Sequence, residues 1–161
     1  MSDHAAILSG MKVIELATFV FGPGSTAVMG DFGADVIKVE APGIGDPFRY
    51  AHQSPPFMPL DFAYMWQQDN RNKRSIVLDL THPDGRAALL ALVGPPDALV
   101  TTFPPKLLPS LTLTTHYLKD TTPHLSSVHI THSRDTAAHA HKPAPARHPP
   151  WHTTRPPATR P

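Results

Sequence analysis

The stretch that decides the fold reads Lys12-Val-Ile-Glu-Leu16, then Gly22-Pro-Gly-Ser-Thr-Ala27, then Asp35-Val-Ile-Lys-Val39. The outer two pieces are short and rich in β-branched residues, and read as strands. Between them, Pro23 to Phe32 reads as a helix. Gly22 precedes it, proline sits in its first turn, where an absent N–H costs little, and Gly33 stops it. Gly30 weakens its interior. Strand, helix and strand in succession make a βαβ unit, so the expected class is α/β with a Rossmann-like parallel sheet and flanking helices.

Further along, a Pro/Gly-rich loop is expected from Ala41 to Leu60 and a short apolar-aromatic helix from Phe62 to Gln68. A third strand is expected at Ser75-Ile-Val-Leu-Asp79. Pro83 to Val93 reads as a second helix, with Thr81 able to cap it and Leu89, Leu90 and Val93 recurring on one face. Asp97-Ala-Leu-Val100 reads as a fourth strand. Ligands of such sheets bind beyond the carboxyl ends of the strands. The loops after Leu16, Val39, Asp79 and Val100 are therefore the places to search.

Composition divides the chain in two. All nine glycines lie at or before Gly94, whereas residues 95–161 hold 13 of the 20 prolines, 8 of the 11 histidines and 12 of the 15 threonines. The tail, above all 142–161, has too little apolar surface to offset its ordering entropy and is expected to be disordered. The expected organisation is a domain over 1–131, clear to about 103, followed by a tail over 132–161. Total charge is balanced, 14 Lys and Arg against 13 Asp and Glu, which argues against a nucleic-acid partner. No apolar run is long enough to cross a membrane, and the start of the chain lacks the pattern of a secretory leader. With no cysteine, disulfides, thiolate metal sites and cysteine nucleophiles are excluded. A cytoplasmic location is expected.

Several motifs invite chemistry. Gly22-Pro-Gly24-Ser-Thr-Ala27 with Glu40 downstream matches the dinucleotide pattern G-x-G-x-x-A. However, Ala17 to Phe21 separate it from the strand, and Pro23 removes an N–H from any anion cradle. A tight strand-to-helix turn is the plainer reading. Asn70-Arg-Asn-Lys-Arg74 offers amides and cations suited to phosphates, or else a solvated turn. His129, His132, His139, His141, His148 and His152 lack the fixed spacing of a metal site, and no metal is expected. Ser25 has no evident base. Asp31, Asp35, Glu40 and Asp46 are carboxylates available in principle for acid–base work.

The blocks Leu8-Ser-Gly-Met-Lys-Val-Ile-Glu-Leu16, Gly22-Pro23, Gly33-Ala-Asp-Val-Ile-Lys-Val-Glu40, Pro42-Gly-Ile-Gly-Asp46, Asn72-Lys-Arg-Ser-Ile-Val-Leu-Asp79 and Pro83-Asp-Gly-Arg86 resemble the class III CoA-transferases in order and spacing. That family includes formyl-CoA and carnitine CoA-transferases and α-methylacyl-CoA racemases. The resemblance implies an N-terminal part of an enzyme that moves CoA between an acyl-CoA thioester and a carboxylate. Coenzyme A is then a substrate, with no permanently bound cofactor.

The resemblance also assigns positions. Val20 and Phe21 match the segment whose backbone faces the CoA adenine region, and Asn70, Arg71, Asn72 and Lys73 match a loop that lines the nucleotide. Thr102 and Phe103 pack along CoA, and Thr131 and His132 stand at a further contact. The family's basic residue after the strand-end Glu is Ala41 here, and Ser110 stands near the place of a usual Arg. His141-Lys-Pro143 and Trp151 resemble remnants of the family's nucleophile segment, in which the catalytic Asp aligns with Ala146. Alanine carries no nucleophile, so the resemblance implies an inactive chain, and one that cannot build the family's interlocked homodimer. Racemase chemistry, a non-catalytic CoA- or nucleotide-binding relic, and an NAD-dependent oxidoreductase are the alternatives.

Overall fold

The computed structural model of the chain describes residues 6–53 and 61–131. His132, Ala146 and the expected tail over 132–161 lie outside the described residues. The strands are β1 (Lys12–Leu16), β2 (Asp35–Glu40), β3 (Lys73–Val77), β4 (Ala98–Thr101) and β5 (Ser126–His129). The helices are α1 (Phe21–Asp31), α2 (Tyr64–Asn70), α3 (Pro83–Val93) and α4 (Thr115–Thr121). The strands form one sheet in the order β3-β2-β1-β4-β5, with every pairing parallel. This is the strand order of the doubly wound dinucleotide-binding fold through its fifth strand, and the expected fold class is observed.

Parallel sheets are covered on both faces, and their central strands are correspondingly apolar. Val13, Ile14, Leu16, Val36, Leu99 and Val100 are all at most 4% exposed. The period of two sorts them. Ile14, Leu16, Val39 and Leu99 face α3 and α4, packing with Leu89, Val93 and Leu118. Val13, Val36, Ala98 and Val100 form the second cluster on the opposite face. The same alternation puts Glu15, Lys38, Lys73 and Ser75 on that second face, because Glu15 stands opposite Lys38 and Lys38 opposite Ser75. Burying the apolar positions therefore also buries charge.

Boundaries move for physical reasons. α1 starts at Phe21, two residues before the expected Pro23, so the proline lies inside the first turn rather than opening it. β3 spans Lys73–Val77 rather than 75–79, because pairing with β2 begins at Val36↔Lys73. Asp79 is instead drawn into the following turn, where its Oδ1 accepts from Thr81 N and Oγ1 at 2.9 and 2.6 Å. Thr81 is thus taken up by Asp79, and His82 caps α3 through Nδ1, which accepts from Asp84 N at 3.3 Å. α2 lies two residues later than expected, and the loop after β2 contains a 3-10 helix at Pro47–Gln53.

The α3 entrance also depends on Gly85, where an added Cβ would stand 1.9 Å from the Asp79 carbonyl oxygen. Gly85→Ala is expected to cost about 2 kcal/mol or more through this overlap. Gly94→Ala, whose Cβ would meet nothing closer than 3.9 Å at a helical φ of −61°, is expected to be neutral or stabilising by up to ~1 kcal/mol. Urea unfolding of the two variants measures the contrast.

Candidate functional site

The strand order reverses between β1 and β4, so the loops that follow Leu16 and Thr101 leave the sheet in different directions and open a crevice. Hydrogen bonds fix both loops to each other. Thr102 N donates to Leu16 O at 3.2 Å and Thr101 Oγ1 donates to the same oxygen at 3.2 Å. Thr18 N donates to Thr102 Oγ1 at 3.2 Å. Phe103 N donates to Thr101 Oγ1 at 3.1 Å, and His129 Nε2 donates to Phe103 O at 2.6 Å. His129 is therefore a structural donor here. Thr131 follows β5 and is half-buried, and Thr102 and Phe103 are half-buried as well.

On the other side of the crevice α1 begins. Its N-cap residue, Val20, has no side-chain acceptor for the first-turn N–H groups. Val20 and Phe21 are 42% and 67% exposed at this end. Gly22 permits the approach of α1 to the loops, since a Cβ there would lie 2.4 Å from Ala17 Cβ and 3.1 Å from Thr102 Cγ2. The glycine pattern thus serves close packing of helix on loop. Ser25 donates to Gly22 O at 2.7 Å.

Beneath α1 lies a buried ionic node. Lys38 Nζ reaches Glu15 Oε1 at 2.6 Å, Ala17 O at 2.8 Å and Asp46 Oδ2 at 2.9 Å. The first two are hydrogen bonds, and the third is an ion pair whose carboxylate oxygen, Asp46 Oδ2, is buried and accepts no hydrogen bond. Glu15 Oε2 accepts from Lys73 Nζ at 2.7 Å and from Thr26 Oγ1. Lys73 also donates to Pro23 O, Asp69 O and Asn70 Oδ1 at 2.7, 2.6 and 3.3 Å. Burial pushes the Lys73 ammonium below the ordinary lysine range, against the pull of Glu15. The side chains of Glu15, Lys38, Asp46 and Lys73 are at most 2% exposed.

The Asn70–Lys73 run therefore acts, in this structure, as a clasp between α1, α2 and β3. Asn70 Nδ2 donates to Trp66 O at 2.9 Å. Arg71 Nε bonds both Asp31 oxygens at 3.1 Å, Arg71 Nη1 donates to Gln68 O, and Asn72 Nδ2 donates to Asp31 Oδ1 at 2.8 Å. The Arg71 bonds hold Asp31 below its usual carboxylate range. Arg74 pairs with Asp35 at 2.9 Å.

A second polar cluster fastens the loop after β2. Glu40 Oε1 accepts from Arg49 Nη2 at 2.6 Å and Ser75 Oγ at 2.7 Å, while Oε2 accepts from Arg49 Nε at 2.8 Å and Asp46 N at 2.9 Å. Arg49 lies 3.7 Å over the Trp66 ring. Burial alone would raise the Glu40 pKa, but these donors outweigh it and bring it to about 2. Of the four carboxylates considered for acid–base work, Asp31, Asp35 and Glu40 are thus paired with arginines, and Asp46 with Lys38.

The node and the strand ends border a cleft of about 420 Å³. Leu16, Val39, Leu78 and Phe103 come from the carboxyl side of the sheet, Arg86 from α3, and Leu107 and Leu111 from the 3-10 turns after β4. Of the sequence-derived site residues, Phe103 lines this cleft. Thr102, Val20 and Phe21 gather at the neighbouring crevice, and Asn70 to Lys73 stand on the α1–α2 side. Among the described residues no group of three acidic or histidine side chains is placed to hold a metal ion, and no helix is long and apolar enough to cross a membrane. The node was missed from sequence as a unit. Its signal was present: one acid and one base, each inside an otherwise apolar central strand.

Removing one partner from a buried pair leaves an uncompensated charge. Glu15→Gln, which leaves Lys38 and Lys73 facing a neutral amide, is expected to destabilise by about 3–5 kcal/mol, read by denaturant unfolding. Glu40 has its folded pKa depressed from 4.5 to about 2. Its contribution is then full above pH 4.5 and lost as pH falls toward 2. Glu40→Gln should flatten the stability–pH curve in that window by about 1–2 kcal/mol, a figure reduced from the whole shift because Arg49 is partly solvent-screened.

A family model described as CoA-transferase family III matches residues 8–145. The α subunit of succinyl-CoA–L-malate CoA-transferase from Chloroflexus aurantiacus is 33% identical over 123 residues, covering 76% of this chain and 28% of that protein. Human succinyl-CoA:glutarate CoA-transferase is 35% identical, covering 77% and 28%. Formyl-CoA:oxalate CoA-transferase from Rhodopseudomonas palustris is 38% identical, covering 73% and 27%. Among solved structures, a CAIB/BAIF family protein from Brucella suis superposes with a TM-score of 0.76 at 35% identity, covering 86% of this chain and 36% of that one. Rv3272 from Mycobacterium tuberculosis superposes with a TM-score of 0.77 at 31% identity, covering 86% and 38%. The chain thus spans about a quarter to two-fifths of the length of these proteins, and across that span it belongs to CoA-transferase family III.

Proposed function

We propose that this chain forms the coenzyme-A-binding part of an acyl-CoA transferase and does not itself carry out the transfer. The observation that supports this most is the crevice at the strand reversal. There an uncapped helix start, the exposed Val20 and Phe21, and the tethered Thr102 and Phe103 converge. The N–H groups of Phe21 and Gly22, which no side chain caps, favour anions such as a pyrophosphate, and aromatic and aliphatic side chains suit the adenine ring and pantetheine arm. Thr131 extends the same rim. Arg71 is within this reading as a phosphate contact: its pair with Asp31 is exposed on both sides, and such pairs are weak enough to exchange for a ligand. Lys73 acts one step back, holding the first turn of α1 through Pro23 O.

The relatives' names describe transfer of CoA among short carboxylates, including succinate, malate, glutarate and oxalate. An acyl-CoA with a carboxylate acceptor is the corresponding substrate class here. The loss of transfer rests on Ala146 at the position matching the family's nucleophile. The acids nearest the cleft offer no substitute, since Glu40, Asp46 and Asp79 are each held by internal donors.

Calorimetric titration of CoA into the full chain is expected to show saturable binding, weakened at least fivefold by Phe21→Glu, which sets a like charge beside the phosphates. Incubation with succinyl-CoA and malate, glutarate or oxalate is expected to give neither exchange nor an acyl-protein mass. Absence of saturable binding would overturn the binding role, and measurable exchange would overturn the loss of transfer.

A further inference from the structure

Phe19 lies between β1 and α1 with a φ of +65°, a left-handed conformation that bulky residues rarely adopt and that costs about 1–3 kcal/mol when it occurs. Such a conformation persists only where the surroundings hold it. Here the hold is a single buried carboxylate. Asp46 Oδ1 accepts from Phe19 N at 3.2 Å and from Phe48 N at 3.0 Å. Its other oxygen lies 2.9 Å from Lys38 Nζ, and Lys38 is itself fixed by Glu15 and Ala17 O. The Phe19 ring rests against Phe48, with centroids 6.1 Å apart. The next residue, Val20, is the N-cap of α1. The turn at Phe19 therefore sets the direction in which the uncapped helix start faces the crevice.

We infer that Asp46 is a positioning residue for CoA: it holds Phe19 in the left-handed turn and so aims Val20, Phe21 and the first N–H groups of α1 at the ligand. This rests on the CoA-binding reading above. The acting atom is Oδ1 as an acceptor, while the charge on Oδ2 anchors the side chain to Lys38. Acceptor and charge are separable. Asp46→Asn keeps an oxygen for Phe19 N but loses the attraction to Lys38, whereas Asp46→Ala loses both.

The test uses the full chain, ¹⁵N-labelled, with two readouts: the three-bond HN–Hα coupling and Cα shift of Phe19, which report φ, and the Kd for CoA. The expected result is that Asp46→Asn lowers the melting temperature yet keeps a positive φ at Phe19 and a Kd within about twofold. Asp46→Ala is expected to return Phe19 to negative φ and to weaken CoA at least tenfold. The inference is overturned if Asp46→Ala leaves φ and Kd unchanged, or if Asp46→Asn weakens CoA as much as alanine does. Should the alanine variant fail to fold, the asparagine variant decides, because retained affinity on a less stable chain supports the acceptor role and lost affinity contradicts it. If the unmutated chain binds no CoA, the binding reading fails. The coupling at Phe19 then still shows whether Asp46 holds the turn.

Discussion

The contact between Lys38 and Glu15 is the constraint around which the rest of this structure is arranged. Two central parallel strands each place one charged side chain in register on the same buried face. Neither charge could remain there alone, because an unpaired ion in such surroundings costs several kcal/mol. Each therefore recruits further partners. Lys38 takes the Ala17 carbonyl and Asp46, and Glu15 takes Lys73 and Thr26. Through these contacts one node fastens the loop after β1, the loop after β2, the first half of α1 and the start of β3. An apolar pair at the same positions would pack the sheet equally well but would fix none of those loops.

That distinction explains why charge is retained in a place where hydrophobic side chains would be safer. The segment between β1 and α1 is poorly buried, with Phe19, Val20 and Phe21 42–67% exposed. Directed hydrogen bonds from beneath, together with the Thr18–Thr102 tie across the strand reversal, supply the order that burial does not. The Glu40–Arg49 cluster does the same for the segment that carries Asp46. The exposed side chains at the strand ends thus rest on a rigid polar underlay.

Much of this was legible in the sequence, and the remainder was hidden for identifiable reasons. Lys12–Leu16 read correctly as a strand, and Asp35–Val39 did so to within one residue, because apolar, β-branched runs bounded by glycine have few other outcomes. Pro83–Val93 read correctly as a helix, yet its cap did not, because Asp79 competes for Thr81 and leaves His82 to accept from Asp84 N. The cationic run Asn70 to Arg74 read as suited to phosphates or as a solvated turn, and sequence could not show that Asp31, Asp35 and Glu15 stand opposite it. Those acids lie 39 to 58 residues away by chain but within hydrogen-bond reach in space. Asp46 read only as an available carboxylate, because its hold on Phe19 N and Phe48 N depends on Lys38, which only the β2 register brings to it.

The most direct test of this account is a double-mutant cycle on the node, with Glu15→Leu and Lys38→Met made singly and together and unfolding followed in urea. The account predicts strong coupling: each single variant is severely destabilised, and the double variant loses less than the sum by about 1.5 kcal/mol or more. Additive losses would show that the two charges are held independently, and that the pair is not what ties the crevice loops to the sheet.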